Sequence, residues 1–162
     1  MNPEALAKAV GGLLVQHHLT LGLAESCTGG MVAAHITDIA GSSAYFEGAI
    51  VAYSNHVKEH VLGVPASTLE RYGAVSAETV TAMARGARKL LNVDVALAIT
   101  GIAGPSGGAP DRPVGLTYIG LASPRGELWR KYIWTGNRRQ NREQSTRAAL
   151  ELLKEHLESS GE

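Results

Sequence analysis

The stretch LGLAESCTGGMVAAHI (residues 21–36) joins an apolar run to a helical pattern through a turn of small residues. Its first part, LGLAES (21–26), is mostly apolar and predicts a strand. The second part opens at Gly29 and Gly30 and predicts a helix over 29–41. A strand that passes directly into a helix is the unit from which α/β folds are built, so this stretch predicts the fold class.

The flanking sequence repeats this alternation. Before the stretch, Leu6, Val10 and Leu14 recur at helical spacing, with Pro3 near the helix start and Gly22 marking its break. Further strands are predicted over 48–54, 93–100, 114–123 and 128–135, and further helices over 55–63, 75–92 and 138–160. We therefore expect one α/β domain over residues 1–162, with a three-layer α/β/α architecture and a mixed β-sheet that has helices on both faces.

Length and charge exclude several classes of protein. The chain has 162 residues, 44% of them hydrophobic, which suits one compact domain and is too short for two ordinary ones. Lys plus Arg and Asp plus Glu both number 15. The chain therefore lacks the excess of positive charge that is typical of a nucleic-acid-binding protein. The first residues fit neither a secretory signal nor a membrane span, so we expect a cytoplasmic protein without a membrane partner. Cys27, the only cysteine, suits a reducing compartment.

Three loops follow predicted strands and carry polar or glycine-rich sequence: residues 26–30, 54–58 and 100–108. In open α/β sheets, loops that leave the carboxyl ends of parallel strands form the ligand site. We expect these loops to line one crevice if their three strands run parallel.

The first of these loops, SCTGG (26–30), has two interpretations. Unsatisfied N–H groups at the start of the following helix can point at an anion or a developing oxyanion, with Ser26 as a nucleophile. Serine and threonine are equally ordinary helix caps. A nucleophile also needs a base, which this loop does not contain.

The segment HVKEH (56–60) also has two interpretations. As H-x-x-E-H it matches an inverted zinc-protease signature, with His56, Glu59 and His60 as the metal-site residues. That motif is short enough to arise by chance, and such enzymes carry a third ligand beyond it. The zinc peptidase is therefore kept as an alternative.

Helical geometry leads to a different interpretation of the same segment. Each residue advances about 100° around a helix. Val57, Val61 and Leu62 then define an apolar side that takes Lys58 inward and leaves the two histidines near solvent. A buried lysine can be neutral near pH 7 and accept a proton from a serine hydroxyl, or its ammonium can snorkel out. Tyr53 is near enough in sequence to support the proton transfer or simply to pack.

The glycine-rich loop, TGIAGPSGG (100–108), lacks the lysine of a phosphate-binding P-loop and the spacing of a dinucleotide fingerprint. Its glycines permit a close approach to a ligand, although a flexible surface loop has the same composition. Arg138 and Arg142 share a helix face and can clamp a phosphate or remain solvated.

Taken together, these motifs resemble the C-terminal domain of the CinA family, which includes stand-alone bacterial nicotinamide-nucleotide amidases. The resemblance rests on AESCTGG (24–30), the segment from ITDIAG to YSNHVK (36–58) and TGIAGPSGG (100–108), and it covers nearly the whole chain. It continues in PVGLTYIGLA (113–122) and GNRRQNR (136–142). The chain looks like the stand-alone form.

The resemblance implies a function and a set of site residues. The family hydrolyses the carboxamide of nicotinamide mononucleotide to nicotinate mononucleotide and ammonia, without a metal or another cofactor. Ser26 then becomes the nucleophile, Lys58 its base and Tyr53 a supporting group. The expected substrate-binding residues are Thr28, Gly29, Gly30, Thr100, Gly101, Gly104, Arg138 and Arg142. A homo-oligomer is expected, as in the family generally.

Two alternatives to this assignment remain. Cys27 adjoins Ser26 and is intrinsically the better nucleophile, so a thiol mechanism is possible. The chain could also be a regulatory module that binds a nucleotide without hydrolysing it. Such a module would bind nicotinamide mononucleotide and release no ammonia.

Overall fold

The computed structural model describes residues 1–159; the last residue of the helix predicted over 138–160 lies outside them. The strands are β1 (Leu21–Glu25), β2 (Phe46–Val51), β3 (Val95–Gly101), β4 (Leu116–Ser123) and β5 (Gly126–Ile133). The helices are α1 (Pro3–His17), α2 (Met31–Thr37), α3 (Asn55–His60), α4 (Ala66–Tyr72), α5 (Ala77–Leu91) and α6 (Arg138–Ser159), with a 3₁₀ turn over Ser42–Ala44. The alternation predicted from the sequence is confirmed.

The five strands form one mixed sheet in the order β2-β1-β3-β4-β5. β1 runs parallel to both β2 and β3, whereas β4 is antiparallel to β3 and to β5. The carboxyl ends of the three parallel strands therefore meet at one edge of the sheet. This edge also holds the start of β4 and the end of β5.

The two faces of the sheet carry side chains of different size. Leu23, Leu97 and Leu121 point towards the layer of α1, α2 and α6, where they join a large aliphatic cluster. The other face presents mainly alanines, including Ala24 and Ala98, to α5 and to the segment that follows α3. These two layers of helices confirm the three-layer α/β/α architecture. Since side chains alternate along a strand, consecutive residues of β1 face different helical layers.

Three details differ from the sequence-based expectations. Helix α1 ends at His17, because His18 takes a left-handed conformation (φ 55°), and Gly22 lies inside β1 instead of marking the break. β2 spans Phe46–Val51 instead of the predicted 48–54, and it lies partly buried at the edge of the sheet. The helix α4 was not predicted, because Leu69 is its only large aliphatic residue.

Within residues 1–159, we find no helix that combines the length and the apolar character needed to span a bilayer.

Candidate active site

The three candidate loops do converge, because β1, β2 and β3 are parallel. The Ser26 turn (residues 26–30) follows β1 and leads into α2. Residues 52–54 connect β2 to α3, and the glycine-rich loop follows β3. The three segments therefore lie at one edge of the sheet, and residues 55–58 of the second belong to α3.

Ser26 and Lys58 form the central contact of this edge. Lys58 Nζ lies 3.1 Å from Ser26 Oγ, and it donates hydrogen bonds to the carbonyl oxygens of Ala52 (2.9 Å) and Tyr53 (3.1 Å). Ser26 is 7% exposed and Lys58 only 2%. A hydroxyl with an amine beside it is thus held at this edge of the sheet, with both groups largely shielded from solvent.

The surroundings of Lys58 favour its neutral form. Burial lowers the pKa of the amine below its ordinary value, against a smaller opposing effect of Cys27. None of the ion pairs formed by residues 1–159 includes Lys58. A neutral amine has two N–H donors and one lone pair, which match two carbonyl acceptors and the hydroxyl of Ser26.

Helix α3 turns as its periodicity predicts. Lys58 points inward, while His56 and His60 are exposed with ring centroids 4.3 Å apart. Val61, expected on the apolar side, is exposed instead because α3 ends at His60. No group of three or more His, Cys, Asp or Glu side chains in the described part of the chain could hold a metal ion. The zinc-peptidase alternative therefore has no ligand set there.

Glu25 is a site residue that the sequence analysis missed. Its fully buried carboxylate accepts hydrogen bonds from the hydroxyl of Thr28 (2.6 Å) and from the amides of Gly30 (3.2 Å), Val32 (3.1 Å) and Ala33 (3.0 Å). These donors surround the start of α2. The available signal was an acidic residue at the end of an otherwise apolar strand.

This arrangement changes the expected set of anion-binding amides. The Gly29 amide donates to the carbonyl of Ser26 (3.1 Å), and the Gly30 amide donates to Glu25. Both glycines have positive φ, 58° and 105°, which lets the chain reverse within the turn. Among the hydrogen bonds of residues 1–159, none uses the Thr28 amide as a donor. Thr28 therefore offers an N–H within the Ser26 turn that none of these hydrogen bonds uses.

The two arginines do not form a simple phosphate clamp. Arg142 donates from Nε to the Cys27 carbonyl (2.9 Å) and from Nη2 to the Thr28 carbonyl (3.3 Å). Arg138 donates to the Gly104 carbonyl (2.8 Å) and to the Tyr53 hydroxyl (3.2 Å). Arg142 thus braces the Ser26 turn, and Arg138 connects the two neighbouring loops.

Tyr53 is placed differently from Lys58. Tyr53 is 63% exposed, and its hydroxyl contacts Arg138 rather than Ser26 or Lys58. Its backbone carbonyl is the part that contacts the amine of Lys58. The structure therefore gives Tyr53 a contact with the base through its main chain.

The base of the glycine-rich loop is well anchored. The buried Thr100 hydroxyl donates to the Ala74 carbonyl (2.8 Å), and Asn141 donates to the Ala103 carbonyl (3.0 Å). A Cβ at Gly101 would lie 2.7 Å from the Thr117 hydroxyl, and one at Gly104 would overlap Val114. The glycines at the base therefore serve close packing, while residues 105–111 at the tip are exposed.

Cys27 is a poor nucleophile in this setting. Burial, with a smaller contribution from the charge of Glu25, raises the pKa of its thiol to about 11. The thiolate is the reactive form of cysteine, so the group is inert at neutral pH.

Comparison with known proteins identifies what this arrangement resembles. The family model of the CinA C-terminal domain matches residues 3–157. A relative from Desulforudis audaxviator is 50% identical over 157 residues, which are 97% of this chain and 38% of that protein. A CinA-like protein of Geobacter sulfurreducens is 50% identical over 149 residues, covering 92% of this chain and 36% of the relative. The chain thus spans less than two fifths of the length of these curated relatives.

Two crystal structures have the same fold. The competence/damage inducible protein CihA from Agrobacterium tumefaciens superposes with a TM-score of 0.92 at 39% identity, covering 94% of each chain. A CinA superfamily protein from Klebsiella pneumoniae superposes with a TM-score of 0.94 at 33% identity, covering 98% of this chain and 99% of that one.

Proposed function

The chain belongs to the CinA C-terminal domain family, and from that premise we propose that it hydrolyses the carboxamide of nicotinamide mononucleotide to nicotinate mononucleotide and ammonia. The observation that carries the proposal is the 3.1 Å contact between Lys58 Nζ and Ser26 Oγ, made by a buried amine without a paired carboxylate. Serine–lysine pairs of this kind perform acyl transfer on unrelated folds.

In the first half of the reaction, neutral Lys58 takes the hydroxyl proton as Ser26 Oγ attacks the carboxamide carbon. The resulting ammonium then gives that proton to the departing nitrogen, which leaves as ammonia rather than as an amide anion. An ester between Ser26 and the nicotinoyl group remains. The carbonyls of Ala52 and Tyr53 hold the lysine in place through both proton transfers.

Water completes the reaction by the same route. Lys58 accepts a proton from water, the hydroxide attacks the ester carbon, and the proton returns to Ser26 Oγ as nicotinate mononucleotide is released. The positive pyridinium ring of the substrate withdraws electrons from the carbonyl carbon. It also disfavours a charged Lys58 beside it.

The amide of Thr28 is the best supported oxyanion donor, because the Gly29 and Gly30 amides already have acceptors within the protein. Of the two arginines, Arg138 is the better candidate for the phosphate. It is the more exposed of the two, whereas Arg142 is bonded to two carbonyls of the Ser26 turn. A homo-oligomer, a single domain and a cytoplasmic location remain predictions.

The proposal is tested by incubating the purified protein with nicotinamide mononucleotide and EDTA, while both products are followed. We expect ammonia and nicotinate mononucleotide in equal amounts. Binding of the nucleotide without release of ammonia would overturn the proposal in favour of a regulatory module. Turnover that requires added zinc would overturn the serine–lysine mechanism.

A further inference from the structure

We propose that Glu25 is a positioning residue for the reaction, because its carboxylate binds the first amides of α2 and so fixes the turn that holds Ser26 beside Lys58. The inference rests on the proposed amidase function and extends it to a residue whose side chain binds α2 rather than Lys58. It is carried by four hydrogen bonds to one fully buried carboxylate.

Glu25 and Ser26 are consecutive residues that point to opposite faces of the sheet. Leu23, two residues before Glu25, packs in the layer of α1, α2 and α6, and Ala24 packs in the layer of α5. Side-chain alternation therefore sends Glu25 towards α2 and Ser26 towards α3. The contacts agree, since Glu25 binds the start of α2 and Ser26 binds Lys58 of α3.

The start of α2 has donors that need a partner. Its N-cap is Gly30, which has no side chain with which to bind the first helical amides. Thr28, a residue type that often caps, gives its hydroxyl to Glu25 instead. Glu25 accepts from the amides of Gly30, Val32 and Ala33 and so takes the place of a side-chain cap at Gly30.

A carboxylate suits this place better than an amide. Its two oxygens provide about four acceptor sites and carry no hydrogen. The glutamine amide has one acceptor oxygen, and its NH₂ group would face an N–H group of the helix. An exchange of Glu25 for glutamine therefore preserves shape but loses at least one hydrogen bond.

Arg142 holds the same turn from its other side. It binds the carbonyls of Cys27 and Thr28, while Glu25 binds the hydroxyl of Thr28 and the amides that follow. Because the carbonyl and the N–H of one peptide group point in opposite directions, this directs the Thr28 amide away from Arg142. Removing Glu25 releases one side of the turn and so disturbs both Ser26 and the proposed oxyanion donor.

The test compares Glu25→Gln with Ser76→Ala, which removes the cap of α5, where the serine hydroxyl bonds Gly73 and Thr79 rather than the Ser26 turn. We expect kcat of Glu25→Gln to fall by roughly 10- to 100-fold, with KM changed by less than about threefold, because misplacement by about 1 Å costs this much. Ser76→Ala should lose a comparable amount of thermal stability and keep its kcat. Equal kcat in both variants at equal loss of Tm would show that Glu25 is only structural.

Two further measurements keep the test decisive. If Glu25→Gln does not fold, Thr28→Val removes the 2.6 Å hydrogen bond alone and should lower kcat by a smaller factor. Its kcat remaining at the wild-type value would contradict the inference.

Labelling of Ser26 by a fluorophosphonate, in which an Oγ–P bond forms and fluoride leaves, needs no nucleotide. A wild-type protein that is labelled rapidly but does not hydrolyse nicotinamide mononucleotide refutes the proposed function, whereas equal labelling rates of wild type and Glu25→Gln refute the role of Glu25.

Discussion

A serine precedes each of the helices α2 and α5, by five residues at α2 (Ser26) and directly at α5 (Ser76), yet the two serines differ in what they bind. Ser76 caps α5 in the ordinary way: its hydroxyl accepts from the Thr79 amide (3.1 Å) and donates to the Gly73 carbonyl (3.1 Å). Within residues 1–159 the Ser26 hydroxyl makes neither kind of contact, and it lies beside Lys58. The start of α2 is bound by Glu25.

The difference shows how the same residue type becomes either a structural cap or a reactive group. A serine that caps its own helix has its proton and a lone pair engaged by the backbone. A serine that faces away from the helix after it, as Ser26 does, keeps both for another partner. At Ser26 that partner is a buried amine, the base that a nucleophile requires.

The largest expected effect comes from exchanging Ser26. We expect Ser26→Ala to lower kcat/KM for nicotinamide mononucleotide by roughly 10³-fold or more, because the nucleophile is lost. Its Tm should stay near the wild-type value, since the hydroxyl makes no cap. A residual activity above one tenth of the wild type would assign the attack to another group.

Lys58→Met should reduce activity nearly as much and also change its dependence on pH. The wild-type rate is expected to rise with pH as the amine loses its proton at a pKa below its ordinary value of 10.5, and to level off above that pKa. The variant should lack this rise. Rates are measured from about pH 5 to about pH 10, because a desolvated lysine titrates within this range. A wild-type rate that falls across this range would contradict a neutral lysine base.

The stability of the protein should depend on the same proton. Because burial lowers the pKa of folded Lys58, the unfolded chain binds more protons between that lowered pKa and 10.5. The free energy of unfolding therefore receives a contribution from Lys58 that rises with pH across this window. Denaturant titrations of wild type and Lys58→Met at several pH values measure it. Parallel pH dependences in both proteins would show that the amine is not perturbed.

Ser76→Ala should act on stability alone. Loss of a serine N-cap typically costs about 1 kcal/mol, which denaturant titration can measure. The amidase activity should remain within about twofold of the wild type, since the Ser76 hydroxyl bonds Gly73 and Thr79 and not the Ser26 turn. A large loss of kcat here would mean that α5 positions the site as directly as α2 does.

Cys27→Ala gives the smallest expected effect on activity. The thiol, with its pKa raised to about 11, is protonated at neutral pH and is not needed for the attack. In an assay of ammonia release, Cys27→Ala should keep most of the wild-type activity, and Ser26→Ala is measured in parallel. An inactive Cys27→Ala together with an active Ser26→Ala would reverse the assignment.

Much of this site could be predicted from the sequence. Helical periodicity alone predicted that Lys58 points inward. In the structure Lys58 is buried, and Val57 and Leu62 on the same side are half-buried and buried. The sequence also predicted that three segments meet at one edge of the sheet, on the condition that the strands before them run parallel. Both inferences depend on local patterns that tertiary contacts did not override.

The bracing of the Ser26 turn could not be predicted in the same way. The hydrogen bonds from the start of α2 to Glu25 depend on which face of β1 the helix covers. Arg142 reaches the Cys27 carbonyl across 115 residues of sequence, so no local pattern distinguishes it from a solvated arginine. The edge position of β2 likewise depends on the strand order, which the sequence does not specify.

The most direct test of the account is the rate at which a fluorophosphonate labels Ser26, measured against pH and located by peptide mapping. The account predicts a single labelled residue, Ser26, and a rate that rises with pH through a pKa below 10.5 and is lost in Lys58→Met. Labelling of Cys27 or Ser76, or a rate on Ser26 that is the same in Lys58→Met, would contradict it.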